Sequence, residues 1–168
     1  MKIERPTVAD YPEILGINES GLPHVNRISA DDLAKFAAQS CYFRIARDGE
    51  RLAAFLLAFS EQASYDSPNF LWFRDRYPRF VYIDRIVVDP IRRRSGIGRL
   101  LYADLERVAS AHAPDLTCEV NLDPPNSGSF AFHERSGFCE VGRQHTDGGA
   151  KLVCLMSKEL SPRVEPSR

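Results

Sequence analysis

Val81-Tyr82-Ile83-Asp84-Arg85-Ile86-Val87-Val88-Asp89-Pro90 runs directly into Ile91-Arg92-Arg93-Arg94-Ser95-Gly96-Ile97-Gly98. The first eight residues are rich in β-branched side chains and are stopped by Asp89-Pro90, which a continuing strand would not tolerate; they predict a central β-strand. From Gly96 to Ala109, Ile97, Leu101, Leu105 and Val108 recur at helical spacing, so an amphipathic helix is expected to pack on that strand. The loop between them carries glycines where the helix begins. Glycine at that place lets a ligand approach bare backbone. A helix start also presents unpaired N–H groups and about half a positive charge. Arg92, Arg93, Arg94 and Arg99 add cations, and the ligand expected is a phosphate or pyrophosphate.

Two other phosphate loops fail on composition. No G-x-x-x-x-G-K-[ST] occurs here, and Gly96-Ile97-Gly98 lacks the third glycine of a dinucleotide fingerprint.

Downstream of the helix, Leu116 to Leu122 is the next expected strand. Asn126 to Ser136 forms a further helix closed by Gly137, a position suited to a left-handed cap. Two last strands, Cys139 to Gln144 and Leu152 to Lys158, surround a turn at Asp147-Gly148-Gly149. Upstream, a short strand at Lys2 to Arg5 precedes a helix in which Asp10 and Glu13 form a capping box, with Tyr11, Ile14 and Ile17 on one face and an end near Gly21. Asp31 to Gln39 repeats the pattern with Leu33, Phe36 and Ala37 inward. Cys41 to Arg47 and Leu52 to Ser60 flank Asp48-Gly49, which predicts a hairpin. Glu61 to Arg79 reads as a long connection whose aromatics, Tyr65, Phe70, Trp72, Phe73 and Tyr77, suit either a substrate-side loop or a flap over the core. The expectation is an α/β (α+β) domain over residues 1–160, with a mixed central sheet of about six to seven strands and about four helices, followed by a loose tail over residues 161–168.

The 168 residues suit one domain, and no apolar run approaches the roughly 20 residues that span a bilayer. The N-terminus lacks the apolar middle of a secretory signal, so a cytoplasmic location is expected. Cys41, Cys118, Cys139 and Cys154 form no C-x-x-C pair and read as buried free thiols, while the four histidines show no metal-ligand spacing; no metal is expected. A formal charge of −1, with no second basic cluster, argues against nucleic acid as a partner.

Arg93-x-x-Gly96-x-Gly98, preceded by Ile86-Val87-Val88-Asp89-Pro90, resembles the acetyl-CoA signature [Q/R]-x-x-G-x-[G/A] of the GNAT acetyltransferase family. Asn126, Ser129, Phe132-His133-Glu134-Arg135 and Gly137-Phe138 resemble that family's later N-x-x-A-x-x-F-Y-x-K-x-G-F segment. The resemblance extends from about Lys2 to Glu159. It implies the GNAT acyl-CoA N-acyltransferase fold and acetyl-CoA as co-substrate. The pantetheine arm would then lie along Ile86-Val87-Val88, using chiefly main-chain groups of Ile86 and Val88, and the amides from Arg94 through Ser95, Gly96, Ile97 and Gly98 to Arg99 would hold the pyrophosphate behind Arg93. The implied acceptor is a primary amine of a small molecule, amino acid or peptide, acetylated by direct attack. Homodimers are common in the family, and nothing in the sequence decides that point.

Direct attack needs a neutral amine, a stabilised oxyanion and a proton for the leaving thiolate. A free ammonium titrates near pH 10, so a base or water chain is useful at neutral pH. Glu119 and Asp84 occupy positions where some family members carry a catalytic carboxylate. Each also suits a hydrogen bond or salt bridge within the sheet, Asp84 with Arg85 for instance. Asn126, Ser129 and His133 form one polar stripe at helical spacing, expected to face the cofactor. At 133 the family usually has the tyrosine that protonates the thiolate. His133 could donate as an imidazolium, contact the cofactor or serve structure alone. The missing tyrosine also keeps open a non-catalytic acyl-CoA sensor.

Overall fold

A computed structural model describes residues 1–160. The expected tail lies outside the described residues.

The chain alternates strands and helices in the order β1 (Lys2–Glu4), α1 (Tyr11–Ser20), α2 (Ala30–Gln39), β2 (Tyr42–Asp48), β3 (Arg51–Ser60), α3 (Pro68–Arg74), β4 (Val81–Val88), α4 (Ile97–Ala109), β5 (Asp115–Asp123), α5 (Ser127–Arg135), β6 (Cys139–Thr146) and β7 (Lys151–Glu159). The seven strands form one sheet in the order β1-β2-β3-β4-β5-β7-β6. It is mixed, as expected: β4 and β5 run parallel, while β1–β2, β2–β3, β5–β7 and β6–β7 are antiparallel. Among the described residues there are five α-helices where about four were expected, because Glu61 to Arg79 contains α3. The described chain divides into two compact units, Met1–Ala63 with Ile83–Leu105, and Ser64–Tyr82 with the chain from Glu106 onward.

In the first unit the core is centred on β3, whose residues Leu52 to Phe59 are all buried. An uninterrupted run of Leu, Ala and Phe is what a strand covered on both faces requires. The hairpin from β2 turns at Gly49, as Asp48-Gly49 predicts. Ile14 and Ile17 of α1 and Leu33 of α2 add to this core, and fully burying each such side chain stabilises by about 1.5–3 kcal/mol. The caps differ from the sequence reading. Thr7 and Asp10 form the box at the start of a 3₁₀ turn before α1, and Asp10 has helical backbone angles with its carboxylate paired to Arg47. For α2 the cap is Ser29, whose hydroxyl accepts from Asp32 N at 3.1 Å while Asp32 accepts from Ser29 N at 2.9 Å.

The second unit holds α3, α5 and the antiparallel strands β5-β7-β6. Phe70 and Phe73 of α3 are fully buried beside Phe80 and Tyr82, so much of the aromatic content of this connection covers the core. Trp72 lies so close over β6 that a Cβ on Gly142 would sit 2.6 Å from its ring. Only glycine permits that approach. The cysteines are all free; Cys118 and Cys154, inside β5 and β7, are buried as expected, whereas Cys41, just before β2, and Cys139, the first residue of β6, are exposed.

Candidate active site

β4 ends at Val88, and the chain continues through a 3₁₀ turn at Pro90–Arg92 held by Asp89, whose Oδ1 accepts from Ile91 N at 3.1 Å. Arg93 is extended, Arg94 takes φ +63° and Gly96 takes φ +84°. The two left-handed residues turn the backbone into α4, whose first helical bond runs from Leu100 N to Gly96 O at 3.1 Å. Nothing lies within 4 Å of where a Gly96 Cβ would be, so the glycine answers to backbone conformation and not to crowding within the chain. A left-handed arginine is uncommon, and Arg94 keeps that conformation in a segment whose neighbours are fixed on both sides.

The arginines are not equivalent. Arg92 pairs with Asp48 at 2.5 Å, and Arg93 reaches only weakly to Val88 O and Ser20 O, both at 3.5 Å. Arg94 and Arg99 are exposed. Ser95 Oγ donates to Arg92 O at 2.5 Å, tightening the loop. A phosphate group here would meet backbone amides at a helix start first and mobile cations second.

Asp84, also in the first unit, accepts from Arg85 Nε through Oδ2 at 2.6 Å, with side chains 5% and 6% exposed. Arg85 Nη1 donates in turn to Asn18 Oδ1 at 3.0 Å and Asn26 O at 3.1 Å, and Asn18 Nδ2 donates to Asn26 O at 3.1 Å. This cluster ties the segment after α1 to β4. Of the two readings open for Asp84, the geometry supports the salt bridge. Neither Asn18 nor Asn26 carried a sequence signal.

The other candidates lie in the second unit. Glu119, half-buried on β5, accepts from the Tyr82 hydroxyl through Oε2 at 2.5 Å. The Tyr82 ring is fully buried and packs 5.5 Å from Phe70 and 6.3 Å from Tyr65. Sequence parity gave no hint of this bond, because it joins two strands whose register is visible only in the fold: Val81 opposite Leu116 and Tyr82 opposite Thr117.

Asn126 is the N-cap of α5, its Oδ1 accepting from Ser129 N at 3.3 Å. Its amide oxygen therefore serves the helix. His133 Nδ1 donates to Ser129 O at 2.7 Å, with Ser129 Oγ 3.3 Å from the same nitrogen. That bond fixes the tautomer with a proton on Nδ1. The ring is 3% exposed and packs edge-on against Phe132 and Phe138. Burial pushes His133 below the ordinary imidazole value, opposed by the Ser129 bond, so the neutral ring prevails near pH 7. Burial thus works against an imidazolium acid at this position. The polar stripe is real as a run of contacts, but its residues bond first to one another.

No helix of the described residues is long and apolar enough to cross a membrane, and among those residues no group of three or more His, Cys, Asp or Glu could hold a metal.

A strand, a glycine-bearing loop and a helix start in a mixed α/β sheet form an arrangement with room for a phosphate group at the end of β4. The chain belongs to the acetyltransferase (GNAT) family, whose model matches residues 11–138. Solved structures of the same fold include the ribosomal-protein-S18-alanine N-acetyltransferase of Escherichia coli, 19% identical over 99% of this chain and 98% of that one with a TM-score of 0.73. Naa20 of Chaetomium thermophilum in complex with a bisubstrate analogue is 21% identical over 95% and 87%, at 0.73. YncA of Salmonella typhimurium, a putative acetyltransferase with its cofactor acetyl-CoA, is 16% identical over 99% and 98%, at 0.73. No curated protein matches the chain.

Proposed function

We propose that the protein transfers an acetyl group from acetyl-CoA to a primary amine, by direct attack of the amine on the thioester with both substrates bound. The observation that supports it most is the left-handed Gly96 at the start of α4, which leaves backbone amides open to a pyrophosphate in a chain of GNAT membership. Acetyl-CoA is named with one structural neighbour, and two others are named as an N-acetyltransferase of an alanine and as a complex with a bisubstrate analogue.

In this reading the amides from Arg94 to Arg99 hold the pyrophosphate and Ile86-Val87-Val88 offers main-chain groups to the pantetheine. A backbone N–H near Val88 stabilises the oxyanion. Glu119, oriented by Tyr82, draws one proton from the incoming ammonium directly or through water; the amine attacks, the C–S bond breaks as the C–N bond is kept, and the leaving thiolate takes up the second amine proton through water. Asp84 keeps Arg85 in place, and His133 braces α5. The acceptor is an amino acid, peptide N-terminus or other small amine, and the cytoplasm, where acetyl-CoA is made and used, is the compartment that suits it.

The neutral, bonded His133 where the family usually has tyrosine supports a second reading, an acyl-CoA sensor that binds without turnover. A thiol-release assay with acetyl-CoA against amino acids, peptides, polyamines and aminoglycosides separates the two. Release with at least one amine supports the transferase; tight CoA binding with no release across the panel supports the sensor.

A further inference from the structure

Asn121 is 8% exposed, and its Nδ2 is the one buried side-chain nitrogen or oxygen among the described residues with no hydrogen-bond partner. The β5–β7 register is unbroken through Cys118↔Met156, Glu119↔Leu155, Val120↔Cys154 and Asn121↔Val153. Strand alternation therefore places Asn121 on the same face as Glu119, and Cys118 and Val120 on the other. The chain then turns back, with Asn126 N donating to Asn121 O at 3.0 Å, so the main-chain carbonyl of Asn121 has a partner while its side-chain Nδ2 has none.

A buried amide nitrogen without an acceptor destabilises a fold, and a leucine, with the same branching and no polar atoms, would avoid that cost. Such a group persists where something outside the chain completes it. Its neighbour two residues back is the carboxylate that the proposed reaction needs. We propose that Asn121 is a substrate-binding residue, its Nδ2 donating to a carbonyl oxygen presented beside Glu119 on the same face of β5. The identity of that oxygen rests on the acetyltransferase reading; the orphaned donor does not. Both reactants offer one: the acyl donor in its pantetheine amides and thioester, and an amino-acid or peptide acceptor in its α-carbonyl.

The test uses Asn121→Leu, which keeps the branching of the side chain and removes the amide, and Asn121→Asp, which keeps shape and puts an oxygen where the donor stood. Each is titrated with CoA by calorimetry and assayed with acetyl-CoA against phenylalaninamide and against phenethylamine, which lacks the α-carbonyl. Expected is an Asn121→Leu protein whose Tm equals or exceeds that of the native chain but which binds one ligand about tenfold more weakly. A CoA affinity that falls, with both acceptors unaffected, assigns the oxygen to the acyl donor. A KM that rises for phenylalaninamide and not for phenethylamine assigns it to the acceptor. Asn121→Asp should show the same loss and serves alone if Asn121→Leu does not fold. Variants that keep both affinities, whatever their Tm, overturn the proposal. Should the native protein release no thiol with any amine, the acetyltransferase reading fails, and the CoA titration alone then decides for or against Asn121.

Discussion

The Tyr82 hydroxyl donates to Glu119 Oε2 over 2.5 Å, so a fully buried side chain of β4 holds the β5 carboxylate that we propose as the base. A hydrogen bond to a carboxylate favours its charged form, and losing one costs more than losing a bond between neutral groups. Tyr82→Phe removes only the hydroxyl and leaves the contacts with Phe70 and Tyr65 in place. With Glu119 no longer held by that hydroxyl, kcat/KM should fall by about tenfold while CoA affinity by calorimetry changes by less than about threefold. An unchanged kcat/KM, measured with any acceptor that supports turnover, would show that Glu119 is not the base.

Gly96 and Arg94 share left-handed backbone, yet substitution should separate them. Gly96→Val places a β-branched side chain at φ +84°, where it is strained, and on the side a ligand must approach. CoA affinity by calorimetry should fall by about tenfold or more. Arg94→Lys keeps the charge and the exposed stem and should change affinity less than threefold, since exposed ion pairs contribute about 0–1 kcal/mol. Equal losses for the two would mean that side-chain charge, not backbone, holds the pyrophosphate.

Much of this was legible in the sequence, for identifiable reasons. The boundaries of β4, the Gly49 turn, the core face of α4 and the stop of α5 before Gly137 follow from local rules of side-chain branching, φ preference and helical period. What stayed hidden depends on partners far along the chain. Asp10 looks like a cap until Arg47 is seen beside it. The helix at Pro68–Arg74 has aromatics all round rather than a clean stripe, because Phe70 and Phe73 pack inward while Trp72 covers Gly142. Sequence could nominate Asp84 and Glu119 equally. Only the fold separates a carboxylate closed into an Arg85 salt bridge from one that meets a tyrosine.

His133 makes stability depend on pH in a predictable direction. Its folded-state value is depressed by burial, while in the unfolded chain it titrates at about 6.5. Below about pH 6.5 the unfolded state binds a proton that the native state resists, so stability falls as pH drops through that range and is fully present above it. His133→Asn removes the titrating group and retains a side-chain donor toward Ser129 O. Its Tm should fall less steeply between pH 6.5 and 5 than that of the native protein, roughly the range in which an ordinary imidazole charges. Parallel slopes would mean that His133 is not held neutral in the fold.

The Asp84–Arg85 pair is almost wholly removed from solvent, so breaking it from one side should cost far more than removing it. Arg85→Met leaves the Asp84 carboxylate buried without the Arg85 counter-charge and removes the guanidinium donor to Asn18 Oδ1 and Asn26 O; about 3–5 kcal/mol of stability should be lost. Asp84→Asn in the same protein deletes the stranded charge and should recover part of that loss, giving a coupling of about 1–3 kcal/mol in a double-mutant cycle followed by urea unfolding. Because Arg85 also anchors the segment around Asn26, the double variant should regain stability without regaining the native order of that segment, visible as faster amide exchange there. Additive losses would show that Arg85 acts through Asn18 and Asn26 alone and that Asp84 is available for chemistry after all.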